Sequence, residues 1–369
     1  MRCWIEIDLT RFRDNIVIIK KSLPKGMGYI SVVKANAYGC GAQELVKSSV
    51  DLVDAFAVAN LNEAMAIKDY SQGKKILILG PLLSEEINSV VANGFVPLVS
   101  SCDELTQLVA TAKALEKVAE IHLKIDTGMG RSGFWHENNS DELRRLCHSS
   151  QIKIGGLATH LSCLGSDNAY TELQRKNFRN WLRQFDWPTE ELKIHESSSF
   201  AIKDSRVDDI CNCVRVGAMQ YGIAPDDIVQ ELDRLGIRPV LSFKSKLVLV
   251  KNIPKGVKIG YDGSYRTTSD TKIGVVACGY ADGIPVSFIN RGHCLVNGSV
   301  CQVIGRVSMD QTTICLANCP GPRPGDTVLW IGSDGARCIT VNEFSKAGRR
   351  IIRESLCAIS GRVERVYKR

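Results

Sequence analysis

The chain has 369 residues, 44% of them hydrophobic and 24% charged, which is the balance of a soluble globular protein. This length excludes a single ordinary domain, whereas a barrel with a second unit fits. The formal net charge of +7 is spread along the chain, and the densest basic segments, residues 346–353 and 362–369, are short and interrupted by apolar residues. We therefore expect solvated surface or a local anion site there, and no nucleic-acid partner.

The 14 cysteines do not follow a disulfide or metal-binding pattern. No C-x-x-C pair occurs, and Cys211 and Cys213 are too close together for a usual zinc pair. Cysteine used as a small hydrophobe indicates a reducing compartment. The N-terminus has no apolar signal region, and no apolar run reaches the length of a membrane span. We expect a cytoplasmic protein with no metal site and no membrane partner.

From Tyr29 to about Gly222, short apolar runs alternate with amphipathic segments. The runs include ISVVKA, KILILG and IHLKIDTG, and the segments between them include LNEAMAIKDYS and CDELTQLVATAKALEK. About eight repeats of strand and then helix, joined by short links, predict an α/β fold with a (β/α)8 barrel of the TIM type over residues 10–234. The rival is an open doubly wound sheet, but no G-x-G-x-x-G follows the first strand.

After about Leu235 the pattern becomes strand-like, with Gly, Asn, Pro and Asp between the runs and little helical period. Residues 235–369 are therefore predicted to form a separate, all-β C-terminal domain. The opening strand, residues 2–9, alternates in the same way and could join either unit.

Polar groups follow the predicted barrel strands at their carboxyl ends, where barrel enzymes hold their functional residues. Lys34 ends the first strand in YISVVKANAYG. A lysine in an apolar site has a lowered pKa and is a nucleophilic amine suited to bonding a carbonyl carbon, although a strand-end lysine can also simply reach solvent. The later strand ends carry Lys124, Asp126 and Arg131, then His160, the serines at 197–199, Arg215 and Gly217.

These groups are ambiguous when each is considered alone. A single His160 is more often a structural histidine, and a single Arg215 is more often a surface charge. Serine hydroxyls, glycine amides and a tyrosine can together hold a phosphate. Compatible groups at several strand ends therefore indicate a site for pyridoxal phosphate.

Seven segments carry a resemblance to a known family. They are SVVKANAYGCGA, HLKIDTGMGRSGF, THLS, VRVGAMQYG, IGYDGSY, CGYADGIP and GRVSMDQ. In this order they resemble the signature segments of bacterial alanine racemases, and the similarity extends from Trp4 to the closing CAISGRVERVY. The resemblance implies a pyridoxal-phosphate-dependent isomerase that interconverts L-alanine and D-alanine and supplies D-alanine for peptidoglycan.

The resemblance also implies roles for single residues. Lys34 resembles the lysine that holds the cofactor covalently and acts as one base, and Tyr261 resembles a second base that comes from the partner subunit of a homodimer with shared active sites. Racemisation needs one base on each face of the α-carbon. Other implied positions are cofactor contacts at Tyr38, His160, Ser199, Arg215, Gly217 and Ala218, substrate contacts at Arg131 and Met309, supporting residues Lys124, Asp310 and Tyr280, and Arg291 near the substrate entrance.

Some positions depart from the family pattern. Cys40, Ser198 and Ser308 stand where histidine, asparagine and cysteine are usual, and none of them removes a catalytic group. Arg353 stands where many members have a tyrosine that touches the phosphate. An arginine can meet a phosphate electrostatically, but it alters the packing around the second base and leaves rate and substrate choice open. Whether Lys124 is carbamylated, as its counterpart is in many members, also stays open.

Other functions remain as alternatives. One is a racemase that prefers serine or another small amino acid, and a second is an amino-acid decarboxylase of the same domain plan, which Tyr261 and GRVSMDQ disfavour. A third is a non-catalytic pyridoxal-phosphate-binding barrel protein. The strand-rich region after Leu235 argues against the third, because such proteins resemble the barrel alone.

Overall fold

The computed structural model of the chain describes residues 1–137, 140–184, 192–196 and 208–369. The chain divides into two compact units. We call Arg13–Ala37 together with Ala42–Gln220 the barrel unit, and we call Met1–Phe12, Tyr38–Gly41 and Tyr221–Arg369 the sheet unit.

The described residues up to Gln220 contain short strands separated by helices. The strands are β1 (Cys3–Asp8), β2 (Gly28–Val32), β3 (Ala55–Val58), β4 (Lys75–Ile78), β5 (Val96–Val99), β6 (Ala119–Asp126), β7 (Phe134–Trp135), β8 (Ile152–Ala158), β9 (Lys193–His195) and β10 (Cys213–Val216). The helices are α1 (Leu9–Ser22), α2 (Ala42–Ser49), α3 (Leu61–Ile67), α4 (Ser84–Asn93), α5 (Cys102–Ala114), α6 (Asp141–Cys147) and α7 (Asn168–Leu182).

Eight of these strands form one parallel sheet that curls back on itself. Their order is β10-β2-β3-β4-β5-β6-β8-β9, and β10 pairs with β2 so that Cys213 stands opposite Gly28. Just before β10, the Asn212 side chain accepts the Ile194 N–H at 3.0 Å and donates to the Leu192 carbonyl at 2.7 Å, which ties β10 to β9. The predicted (β/α)8 barrel of the TIM type is confirmed.

Two of the barrel strands are apolar along their whole length. The sequences AFAV of β3 and VPLV of β5 are buried at every position, as is typical of parallel strands covered on both faces. Several helices begin at a side chain that accepts a free backbone N–H. Asn60, Ser101 and Ser140 each accept the N–H three residues further on. These caps end the loops at the carboxyl edge of the sheet, where the candidate site residues lie.

The sheet unit is built around one long strand. Its later strands are β11 (Leu241–Ile253), β12 (Lys258–Ile259), β13 (Tyr265–Arg266), β14 (Thr271–Val276), β15 (His293–Val296), β16 (Ser299–Gln302), β17 (Thr312–Cys315), β18 (Thr327–Asp334), β19 (Arg337–Ile339) and β20 (Glu364–Lys368). Its helices are α8 (Asp226–Leu235), α9 (Val341–Ala347) and α10 (Ile352–Cys357).

The N-terminal strand joins this sheet. β1 pairs antiparallel with β11 and parallel with β20, and β11 also pairs with β18 and β14. The sequence left the placement of residues 2–9 open, and in the structure β1 lies between β11 and β20. The boundary between residues 234 and 235 stays a prediction.

The C-terminal domain is mostly sheet, but α9 and α10 interrupt it near its end. The Thr340 hydroxyl accepts the Glu343 N–H at 3.1 Å, and the Glu343 carboxylate accepts the Thr340 N–H at 2.7 Å. This reciprocal pair is a capping box. The segment TVNE carries its signal. The predicted β-strand-rich C-terminal domain is confirmed as a mostly-sheet domain, which also contains these two helices.

All 14 cysteines are free thiols. Within the part of the chain that the structure describes, no helix is long and apolar enough to cross a membrane. The same residues include no group of three or more side chains arranged to hold a metal ion.

Candidate active site

Lys34 lies two residues after β2, is half-buried, and begins a left-handed turn. The next four residues all have φ between 51° and 54°, a region that non-glycine residues rarely occupy. Two contacts hold the turn. The Glu63 carboxylate accepts the Ala35 N–H at 2.7 Å, and the Asn36 side chain accepts the Ala42 N–H at 2.8 Å. The lysine is thus presented by a strained turn that its surroundings fix.

The end of β6 carries Lys124 on the inner face of the barrel. Its side chain is almost fully buried, with 6% of the residue exposed. Burial and the neighbouring charges of Arg215 and Arg131 hold the pKa of Lys124 well below its ordinary value, although Asp126 opposes the shift. A lysine in this environment gives up its proton far more readily than one in water.

The Asp126 carboxylate organises the loop that follows β6. It accepts the backbone N–H groups of Gly128, Met129, Gly130 and Arg131 at 2.8–3.1 Å. Burial raises the pKa of Asp126, but these four bonds outweigh it and keep the pKa below its ordinary value. Gly133 closes the loop with φ +125°, and a Cβ there would lie 2.7 Å from the Asp126 nitrogen. The loop leaves the Arg131 side chain exposed.

Arg215 points from β10 into the barrel and is fixed by backbone carbonyls. Its guanidinium donates to the carbonyls of Thr159 at 2.7 Å, His195 at 2.8 Å and Glu196 at 3.3 Å, and it also contacts the His195 ring. Burial lowers the pKa of Arg215 to about 10. The group therefore stays cationic at neutral pH and acts as a hydrogen-bond donor.

His160 lies two residues after β8, and the charges of residues at the other strand ends act on its imidazole. Burial, followed by the charges of Arg215, Lys124, Arg131 and Lys34, lowers the pKa of His160 to about 3. The imidazole is therefore neutral at pH 7. The residues predicted separately from four strand ends thus form one electrostatic cluster in the barrel unit.

Sequence reasoning missed a buried pair of histidines in this cluster. His122 Nδ1 lies 2.8 Å from His195 Nε2, and the His195 ring in turn contacts Arg215. Burial is the main cause that lowers the pKa of His122 to about 3 and that of His195 well below its ordinary value. A signal existed in IHLKID, because alternation along a strand places His122 on the same face as Lys124.

In the sheet unit, Tyr38 packs against Tyr221 with ring centroids 4.9 Å apart. Burial raises the pKa of Tyr38 to about 12, and the charge of Arg353 opposes this shift. A Cβ on Gly39 would lie 2.5 Å from the Leu356 carbonyl of α10, so the turn packs directly on that helix. Arg353 on α10 thus lies near the side chain of Tyr38.

The other predicted residues of the sheet unit are exposed. Tyr261 is 68% exposed and begins the short 3-10 turn Tyr261–Gly263. Tyr280 and Met309 lie on paired segments, since the Tyr280 N–H donates to the Ser308 carbonyl at 3.0 Å. Asp310 forms an ion pair with Arg362 at 2.7 Å. Arg291 is likewise exposed.

The predicted site residues fall into both units. Gly217 and Ala218 are buried directly after β10. Ser199, like Ser198, lies outside the described residues. The barrel unit holds Lys34, Lys124, Arg131, His160, Arg215, Gly217 and Ala218, and the sheet unit holds Tyr38, Tyr261, Tyr280, Met309, Asp310 and Arg353.

The chemistry of the barrel cluster fits an anionic cofactor. Lys34, Arg131 and Arg215 bring positive charge to one end of the barrel. The described carboxylates beside them are engaged elsewhere, since Asp126 is bonded to four amides and Glu196 pairs with Arg175 at 2.9 Å. A cationic site of this kind suits a phosphate or a carboxylate, and pyridoxal phosphate with an amino acid brings both.

Comparison with known proteins agrees with this fold. The family model for the alanine racemase N-terminal domain matches residues 7–225, and the model for the alanine racemase C-terminal domain matches residues 240–367. Among curated proteins, the alanine racemase of Methanococcus maripaludis is 33% identical over 99% of this chain and 98% of its own length. That of Streptococcus gordonii is 34% identical over 98% of this chain and 96% of its own length.

Solved structures give the same result. Alanine racemase from Clostridium difficile superposes with a TM-score of 0.92 at 33% identity, covering 100% of this chain and 96% of that chain. The Bacillus anthracis alanine racemase with bound L-Ala-P has a TM-score of 0.89 at 29% identity and covers 100% of this chain and 95% of that chain.

The TIM-type barrel followed by a mostly-sheet domain is the fold of the solved alanine racemases that superpose on this chain. More specifically, the chain belongs to the alanine racemase family, whose members are isomerases.

Proposed function

We propose that this protein interconverts L-alanine and D-alanine with pyridoxal phosphate as cofactor, using Lys34 and Tyr261 as its two bases. The observation that carries the proposal is the cluster at the barrel end, in which backbone carbonyls fix Arg215, and burial together with the charge of Arg215 lowers the pKa of His160. Membership of the alanine racemase family supports the reaction, and the positive charge of the cluster supports an anionic cofactor.

Several of the residues described above would hold the cofactor. Lys34 would bind it covalently, and Tyr38, Ser199, Gly217 and Ala218 would bind its phosphate, with Arg353 adding a positive charge near Tyr38. His160 and Arg215 would contact its ring. When bound, pyridoxal phosphate withdraws electrons from the substrate and so acidifies the hydrogen on the α-carbon.

The chain's own residues then bind the substrate and move a proton. Arg131 and Met309 would bind the substrate, with Lys124 orienting Arg131 and with Tyr280 and Asp310 as supporting residues. Lys34 would remove or return the α-hydrogen on one face, and Tyr261 would do so on the other. Arg215 keeps its protons at neutral pH, so it orients its partners rather than transferring a proton.

We also propose a homodimer in which Tyr261 reaches the site of the partner subunit. The exposure of Tyr261 in a single chain supports this arrangement. The free thiols agree with a cytoplasmic location, and the product would supply D-alanine for peptidoglycan.

An amino-acid panel tests the proposal. Purified protein is incubated with pyridoxal phosphate and each of a set of L-amino acids, and formation of the D-isomer is followed by chiral chromatography. We expect D-alanine to form fastest, with Lys34→Ala and Tyr261→Phe each reducing turnover at least a hundredfold, the scale of one acid–base group.

Two results would contradict the proposal in different ways. Faster turnover of L-serine than of L-alanine would assign a different substrate to the same chemistry. Cofactor binding without D-isomer formation from any amino acid would indicate a non-catalytic pyridoxal-phosphate-binding protein. Lys113→Met serves as the control, because it removes an exposed amine of α5 that lies outside the cluster, and it should leave turnover unchanged.

A further inference from the structure

The turn that carries Tyr261 has an unusual backbone. Gly260 has φ +70°, Asp262 has φ +56° and Gly263 has φ +56°, and the Gly263 N–H donates to the Gly260 carbonyl at 3.2 Å. The Tyr261 side chain is 68% exposed, so little packing within the chain directs it. The position of its phenol therefore depends on how the turn is attached to its neighbours.

The first attachment is at the base of the turn. Ile259 packs with Ile273 and Ile304 in a small hydrophobic cluster. A Cβ on Gly305 would lie 2.9 Å from the Ile259 carbonyl, and a Cβ on Gly260 would lie 3.2 Å from the nitrogen of the residue after Gly305. The two loops thus run in direct backbone contact, and glycine permits that approach.

The second attachment is the side chain of Asn290. Its amide nitrogen donates to the Ser264 carbonyl at 2.9 Å, and its amide oxygen accepts the Gly305 N–H at 2.7 Å. One half-buried side chain therefore bridges the end of the tyrosine turn to the neighbouring loop. Asn290 has φ +55°, a conformation that asparagine tolerates better than most residues.

The third attachment is an ion pair beside the tyrosine. Arg306 Nη2 lies 2.9 Å from Asp262 Oδ2. Both side chains are more than half exposed, so the pair adds little to folding stability. It nevertheless connects the residue directly after Tyr261 to the same loop that Asn290 holds.

We propose that Asn290 and the Asp262–Arg306 ion pair are positioning residues that set where the Tyr261 phenol stands for proton transfer. This inference rests on the proposed role of Tyr261 as a base. The proton must be transferred over hydrogen-bond distance, so a shift of about 1 Å costs up to roughly a hundredfold in rate. In this proposal the three side chains act through the turn alone and not by contact with cofactor or substrate.

The test measures inversion and exchange separately in deuterium oxide. Holoenzyme is given one enantiomer of alanine, and NMR with chiral analysis reports deuterium at the α-carbon in retained and in inverted product. Lys34 alone can exchange the α-hydrogen of one enantiomer with retention, whereas inversion needs Tyr261 as well. The variant Asn290→Gly keeps the positive φ and removes the bridging amide. We expect it to lower kcat about tenfold or more and to raise the ratio of retention to inversion by a similar factor. We expect KM to stay within about twofold of its original value.

The ion pair is tested by Asp262→Asn and Arg306→Gln, which are exposed changes that do not threaten folding. Each is expected to raise the same ratio about twofold to fivefold, and the double variant is expected to do no more than either single variant. These two variants carry the test if Asn290→Gly fails to fold.

Matched controls lie elsewhere in the sheet unit. Asn297 also has positive φ, at +48°, and bonds Asp326 at 2.9 Å, so Asn297→Gly should leave the ratio unchanged. An unchanged ratio in Asn290→Gly, Asp262→Asn and Arg306→Gln would overturn the inference, even if kcat fell with stability. Tyr261→Phe is the reference, and full inversion by that variant would overturn the two-base proposal together with this inference.

Discussion

His122 and His160 are histidines that the fold keeps uncharged. The sequence indicated His160 from its place at a strand end, and the alternation in IHLKID could have indicated His122. What a sequence pattern could not supply was the cause of their low pKa values, since burial in the barrel and the charge of Arg215 arise from segments far apart in the chain. The sequence could therefore predict which histidines belong to the site. Their low pKa values depend on the assembled barrel.

The buried histidine gives a prediction for acid stability. His122 has a pKa of about 3 in the folded chain, against about 6.5 when unfolded. Below about pH 6.5 the unfolded chain binds a proton that the folded chain does not, so the free energy of unfolding falls as the pH drops towards 3. We expect His122→Gln to make this fall shallower by about 1 kcal/mol per pH unit between about pH 4 and pH 6.

Urea unfolding at several pH values measures this slope. His148 is exposed and lies outside the cluster, so His148→Gln serves as the control and should keep the slope of the unchanged protein. Equal slopes for His122→Gln and the unchanged protein would show that His122 takes up its proton in the folded state.

At the scale of elements, the left-handed turn after Lys34 is the feature least visible in the sequence. The segment KANAY contains no glycine, and alanine does not favour positive φ. The conformation is imposed by contacts with Glu63 and Ala42, which belong to later elements. Strands and helices of the barrel followed from hydrophobic period, whereas this turn follows from tertiary contacts that override local preference.

The left-handed turn predicts that an alanine-to-glycine substitution changes the free energy of unfolding in opposite directions at Ala35 and at Ala66. Ala35 is exposed and left-handed, whereas Ala66 is exposed within the right-handed helix α3. Ala35→Gly relieves a strain of about 1–2 kcal/mol, so we expect the free energy of unfolding to rise by up to about 1 kcal/mol after the entropy cost of glycine. Ala66→Gly should lower it by about 1 kcal/mol.

Denaturant unfolding at neutral pH measures the free energy of unfolding of both variants. Loss of stability in Ala35→Gly equal to that in Ala66→Gly would contradict the left-handed conformation of the turn. Both side chains are small and exposed, so changes in packing do not confound the comparison.

At the scale of the whole molecule, the order of strands and helices was predictable from the sequence. The contacts between segments far apart in the chain were not. Alternation of strands and helices predicted the barrel, and the change of pattern near Leu235 predicted the second domain. The parallel pairing of β1 with β20 joins opposite ends of the chain, and no local pattern reports such a partner. Gln220 is a comparable case, since its amide bridges Tyr29, Ser31 and Val32 where the barrel closes.

The central claim is that each active site takes Lys34 from one subunit and Tyr261 from the other. The most direct measurement co-expresses Lys34→Ala and Tyr261→Phe chains with different affinity tags and assays alanine racemisation by the mixed population. Half of randomly formed dimers are hybrids with one complete site, so we expect about a quarter of the unchanged protein's turnover per chain, whereas either variant alone is nearly inactive. Inactive hybrids, isolated through both tags and loaded with cofactor, would contradict the account, because each site would then draw both bases from a single chain.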